Sequence, residues 1–135
     1  MKQIECTIFV EPTAKGRPRV TTIGGHAHAY TPKRTRVAEA DIKAAIRKEV
    51  MALGDFDPGV PLKVSATFYI EKPKSSPKKL VMPVKRPDLA NYFALLCDAL
   101  QKFVYHDDSE IVTANIRKRF GSPPRIELRI TEEVE

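Results

Sequence analysis

The stretch "RPDLANYFALLCDAL", Arg86 to Leu100, decides the fold. Placed at about 100° per residue, Leu89, Tyr92, Phe93, Leu96, Cys97 and Leu100 fill one continuous arc, which Phe103 and Val104 extend. That period predicts an amphipathic helix from about Asp88 to Phe103, whose apolar side needs another layer to cover it. The opposite arc holds, in angular order, Ala90, Gln101, Ala94, Asp98, Asn91 and Lys102. Two alanines thus interrupt a polar face on adjacent turns. Alanine is the best helix former and needs no special reason to sit on an exposed face. Carboxylates at both ends of the helix, Asp88 and the pair Asp107–Asp108, make those two positions worth weighing.

The flanks supply the covering layer. Leu62, Val64, Ala66, Phe68 and Ile70 alternate with Lys63, Ser65, Thr67 and Tyr69, the pattern of a strand with one buried face. Ile4, Cys6, Ile8 and Val10 alternate with Glu5, Thr7 and Phe9 in an opening strand that Pro12 ends. Gly24–Gly25 reads as the tip of a hairpin or loop. Thr31 as N-cap and Pro32 as first helical residue start another helix, with Ile42, Ala45, Ile46, Val50 and Leu53 as its buried stripe and Gly54 as its stop. Three prolines, two serines and four lysines between Lys72 and Pro83 mark a mobile basic loop reaching about residue 86. After HDDSE comes a strand with Val112, Ala114 and Ile116 inward. The turn GSPP then leads to a last strand, with Ile126, Leu128 and Ile130 inward and Arg125, Glu127 and Arg129 outward. The expected class is α+β: one domain over 1–135, with a mixed or antiparallel sheet of about four to five strands and two main helices packed on it.

Composition narrows function. The 135 residues carry a net charge of +6, with a pI near 9.4. The cations cluster in KGRPR, PKRTR, KPKSSPKK, VKR and RKR, which suits a polyanion such as nucleic acid. Few aromatics and no Trp argue against a single-strand stacking platform. No run approaches the roughly 20 apolar residues of a membrane span, and the first residues lack a signal peptide's apolar region, so a cytoplasmic protein is expected. Cys6 and Cys97 read as two buried free thiols.

Each candidate carboxylate has two readings. Asp88 behind Pro87 is a favoured N-cap, and Asp107–Asp108 suit a turn. If the helix start and the later turn converge, their carboxylates make a site for Mg²⁺, which activates water and stabilises charge on a cleaved phosphodiester. A metal site built from His26, His28 and His106 is the weaker option, since two of them flank a glycine tip.

The run "RPDLANYFALLCDALQKFVYHDDSEI" resembles the signature of RusA-type Holliday junction resolvases, and "PTAKGRPRV" and "AYTPKRTR" resemble other parts of that family. The family pattern has Asp-x-Asp-Asn at the helix start, a Lys three residues after the Asn, Asp-Ala-Leu, then Asp-Asp. The resemblance places the first catalytic Asp at Asp88, the Asn at Asn91, the Asp-Ala-Leu at Asp98–Leu100, and the acidic pair at Asp107 and Asp108, the latter fitting the metal-binding catalytic Asp best. It also places a second catalytic Asp at Ala90 and a catalytic Lys at Ala94. Those are the two alanines of the polar face. The resemblance implies a Mg²⁺-dependent homodimer that binds a four-way DNA junction and nicks two strands, with this copy impaired by the loss of one ligand and one cation. Engineered and natural origins of the alanines both fit. The alternative is a non-catalytic branched-DNA or RNA binding module that keeps only the fold.

Lys15, Arg17 and Arg19 are the first candidates for phosphate contact, with Pro18 restraining their loop and Gly16 allowing close approach. Lys33, Arg34 and Arg36 surround a helix N-terminus, itself favourable to anions. Lys72, Lys74, Lys78, Lys79, Lys85 and Arg86 are looser candidates. Arg117 and Arg119 share an outward strand face. Leu95 and Ala99, beside Lys102, suggest a helix edge for a dimer partner.

Overall fold

The computed structural model describes residues 2–16 and 19–134 and, for Arg19, the backbone alone. Six strands and two helices follow in the order β1 (Gln3–Ile8), β2 (Arg19–Ile23), β3 (His26–Tyr30), α1 (Lys33–Leu53), β4 (Leu62–Ile70), α2 (Leu89–Leu100), β5 (Ile111–Phe120) and β6 (Arg125–Glu132). Four strands form one sheet in the order β1-β6-β4-β5, while β2 and β3 pair only with each other. β4 runs antiparallel to β6 and parallel to β5, so the sheet is mixed, as expected of an α+β domain.

Alternation explains the packing. Leu62, Val64, Ala66 and Phe68 on β4, Ile126, Leu128 and Ile130 on β6, and Ile4 and Ile8 on β1 are all buried, and they meet Ile42 and Ile46 of α1. Phe68 stacks on Tyr92 of α2, with ring centroids 5.6 Å apart. The opposite face of the sheet carries the expected polar residues, Arg125, Glu127 and Arg129 among them, and Glu127 and Arg129 line a shallow depression together with Thr67 and Arg117.

Several expectations need correction. α1 has Pro32, not Thr31, at its N-cap position, and no side chain caps it; Gly54 is the stop, as foreseen. α2 ends at Leu100 because Lys102 adopts a left-handed conformation (φ 63°) and the chain turns tightly through Tyr105. No glycine signals that stop. Leu95 and Ala99 are buried, since α2 is covered by α1 as well as by the sheet, so they offer no open edge to a partner. On β5, Val112 and Ala114 are exposed: the register slips between Leu62 and Lys63, and β5 is an edge strand. Ile116 packs on the core as expected, and Ile111 does so in place of the other two. The 72–86 segment holds neither helix nor strand; it runs in turns, with Pro83 buried.

Candidate active site

α2 presents the polar face described by its period. Asp88 occupies the N-cap position with extended backbone, but its exposed side chain makes no capping hydrogen bond. Ala90 is exposed and Ala94 half-buried. The loop after β1 docks on this face. The Lys15 amide donates to the Asn91 carbonyl at 3.0 Å, and Lys15 Nζ reaches Asp98 Oδ2 at 2.7 Å. Asn91, Ala94 and Asp98 lie on one stripe of the helix, so the lysine spans the stretch that holds Ala94. Its ammonium is held at Asp98, one helical turn beyond Ala94.

Asp108 closes the site from the other side. Tyr105 Oη donates to Asp108 Oδ1 at 2.7 Å and lies 3.4 Å from the Cys97 carbonyl. The Asp108 amide donates to Gln101 Oε1 at 3.0 Å. Burial pushes the Asp108 carboxyl above the usual range; the Tyr105 hydrogen bond opposes this, while Asp98 and Asp107 add to it and Lys15 works against it. Lys15 is held above its ordinary value chiefly by its bond to Asp98, with burial opposing and Glu39 and Asp108 assisting. Glu39 of α1 is raised by burial first and Asp98 second. Lys15, Glu39, Asp98 and Asp108 thus form one mixed-charge cluster between the helices and the start of β5. Both thiols are free and raised by burial, that of buried Cys97 up to about 12 and that of Cys6, which is only half-buried and not buried as expected, up to about 11.

Asp107 has a structural task. Its Oδ2 accepts from the Ser109 amide at 2.9 Å, while Glu110 Oε1 accepts from the Asp107 amide at 3.0 Å, a reciprocal capping box for the 3-10 turn Asp108–Glu110. The Ser109 contacts hold its carboxyl below the ordinary value.

The structure keeps Asp88 and Asp108 apart. Asp108 sits by Cys97 and Gln101, whereas Asp88 lies ten residues before Asp98, about 15 Å back along an unbroken helix. β5 gives the same answer independently. Lys118 Nζ donates to the Lys85 and Pro87 carbonyls at 3.0 and 2.9 Å, seven residues and about 23 Å beyond Ile111. A stiff helix separates the two carboxylates, and a tight turn passes directly into Asp108. The expected shared ion of Asp88, Asp107 and Asp108 does not fit one chain. Among the described residues no three His, Cys, Asp or Glu gather to hold a metal, the histidines included.

The basic candidates fall in separate parts of the structure. Gly16 donates its amide to Thr35 Oγ1 at 3.2 Å, and a Cβ there would meet that oxygen at 3.0 Å. Its bareness serves close contact with α1. Lys33, Arg34 and Arg36, on the first turn of α1 around Thr35, are exposed. Lys72 Nζ donates to the Lys78 carbonyl at 3.2 Å, while Lys74, Lys85 and Arg86 are exposed. Arg17, Pro18 and the Arg19 side chain lie outside the described residues.

The profile of the family described as Endodeoxyribonuclease RusA matches residues 10–131, a span that takes in both faces of the cluster. The chain belongs to the RusA family. A crossover junction endodeoxyribonuclease rusA of Lactococcus phage r1t is 31% identical over 122 residues, 90% of each chain. YqaN of Bacillus subtilis (strain 168), itself uncharacterised, is 30% identical over 139 residues, 98% of each. RusA membership identifies the chain as an endodeoxyribonuclease by family. Sequence reasoning gave Asp98 no chemical role and Lys15 only a phosphate contact. Asp98's place among the polar residues beside Ala94 was the available signal; the partnership with Lys15 rests on a contact 83 positions apart.

Proposed function

We propose that this chain acts on branched DNA, the four-way junction above all, as a homodimer in the cytoplasm of a bacterium or phage-infected cell, and that it cuts slowly. The observation that carries this reading is the family span over residues 10–131 combined with exposed Ala90 and half-buried Ala94 on the polar side of α2. Asp98 and Asp108 are the carboxylates that would hold Mg²⁺, since that ion commonly uses one or two carboxylates together with substrate phosphates. When bound, it supplies charge stabilisation at the phosphodiester and a more acidic water. Lys15 has two effects: its ammonium neutralises Asp98 before substrate arrives, and it offers the cation that Ala94 lacks. Asp88, uncapped and exposed at the far end of α2, is assigned to the same reaction through the family pattern alone. The basic groups on α1 and the 72–86 segment hold phosphates. The test is Mg²⁺-dependent nicking of a four-way junction by this chain and by its Ala90→Asp/Ala94→Lys double variant. Faster cutting by the variant is expected; equal, vigorous cutting by both would refute impairment.

The ion pair that occupies Asp98 favours one second reading, a branched-DNA binder without cleavage. Such a protein would bind junctions equally with and without Mg²⁺ and would lose nothing on Asp108→Asn.

A further inference from the structure

We infer that the β2–β3 hairpin is a DNA-reading arm that lies in the major groove of a duplex, with Thr21, His26, His28 and Tyr30 facing the base edges. The inference deepens the proposed function by naming how the chain engages its polyanion.

The hairpin stands apart from the body. Its residues from Val20 to Tyr30 are exposed on both faces, and among the described residues neither face is covered by a helix or another strand. Two-stranded hairpins are marginal alone in water, so one presented in this way is built to meet a surface. Its register is regular, with Thr21 opposite His28 and Ile23 opposite His26. Alternation then sorts the residues: Thr21, Ile23, His26, His28 and Tyr30 on one face, and Val20, Thr22, Ala27 and Ala29 on the other. The first face carries hydroxyls and imidazoles that donate and accept hydrogen bonds; the second is small and apolar. Gly24 (φ 59°) and Gly25 (φ 80°) give the tight turn that joins strands with the natural twist.

Charge selects the partner. Over the whole chain twenty-three Lys and Arg face seventeen Asp and Glu. Residues 12–38, the hairpin and its two roots, hold six of the cations and no carboxylate, so the remaining 108 residues carry seventeen of each. The net positive charge of the sequence therefore lies in the segments that flank the hairpin, Lys15 to Arg19 before it and Lys33 to Arg36 after it. A paired ribbon with side chains is about 10 Å across and fits the roughly 12 Å major groove, while exposed Lys33, Arg34 and Arg36, just after the hairpin, are available to the flanking phosphates. The hydrogen bond from Gly16 to Thr35 ties the segment before the hairpin to the start of α1.

The test measures binding of the full-length protein, at one fixed salt concentration, to a fluorescent four-way junction and to a linear duplex of the same arm sequence. Thr21→Ala/His28→Ala removes a cross-strand pair from the reading face and should weaken both complexes about tenfold with Tm unchanged. Thr22→Val, on the opposite face, should leave both as they were. Guanine N7 atoms in the contacted arm should be protected from methylation by the parent protein and exposed with the double variant. Equal affinities for parent and double variant would overturn the inference. So would a double variant that changes from dimer to monomer in sedimentation, because the arm would then embrace a second copy of the chain. If the parent binds the duplex and not the junction, the resolvase reading falls while the comparison on duplex still judges the arm. If it binds neither, both fall.

Discussion

Asp108 is the residue whose surroundings are most open to test. Its carboxyl is raised by burial and by Asp98, and lowered by the phenol of Tyr105. In metal-free buffer, Tyr105→Phe should move the Asp108 titration midpoint up and Asp98→Asn should move it down, followed by carboxyl carbon NMR. Shifts of the opposite sign would break the electrostatic account. Because the folded carboxyl is held above the ordinary aspartate value, the ionised form that a cation needs is lost sooner on acidification than for an ordinary aspartate. Lys15 works in the other direction on the pH scale. Its raised folded value means that whatever the pair with Asp98 contributes is present in full below 10.5 and is lost as pH climbs through the higher folded value. Both partners are partly exposed, with side-chain accessibilities of 42% and 32%, so the contribution at neutral pH should be below about 1 kcal/mol. Lys15→Met should therefore lower urea stability only slightly at pH 7, and that difference should shrink at strongly alkaline pH. Function should feel the same change far more, through lost DNA affinity.

Among the elements, α2 shows where sequence reading succeeds and where it fails. Its buried stripe was legible because a 3.6-residue period survives any packing arrangement. Its end was not, since a lysine holds the left-handed position where a glycine is usual. Lys102→Gly should relieve that conformation and raise stability by about 1 kcal/mol, read as a higher Tm. The core side gives the contrast: Leu96 is fully buried, and Leu96→Ala should cost about 2–5 kcal/mol in chemical denaturation. The turn between β5 and β6 depends on a bare backbone. A Cβ on Gly121 would sit 2.6 Å from the Tyr69 ring, which already carries the Arg125 guanidinium on its face 4.0 Å from the centroid. Gly121→Ala should cost about 1–3 kcal/mol and disperse that stack. The exposure of Val112 and Ala114 escaped prediction because alternation shows which residues share a face and is silent about a bulge or a place at the sheet's margin.

At the level of the whole protein, the fold class was readable because four alternating segments and two amphipathic ones admit few layered arrangements. The site was only half readable. Asp108 and Lys15 were named and Asp98 was not, because distances along a rigid helix determine which groups act together: they separate Asp88 from Asp108, while Asp98 and Lys15 fall within electrostatic reach of Asp108. Charge distribution yields a further expectation. If the six cations of residues 12–38 all meet phosphates, the logarithm of affinity should fall against the logarithm of salt with a slope of about −5. A slope near zero would mean that the basic segment does not touch the backbone.

The slipped register at Leu62 and the margin position of β5 have one more result. A marginal strand leaves unpaired amides and carbonyls to which another chain can add, the first step toward insoluble polymers. Here the bulge interrupts one end of that row, and Arg117, Lys118 and Arg119 crowd the other with like charge. The strand that frames the candidate site is thereby kept from templating its own precipitation at the concentrations a cell requires.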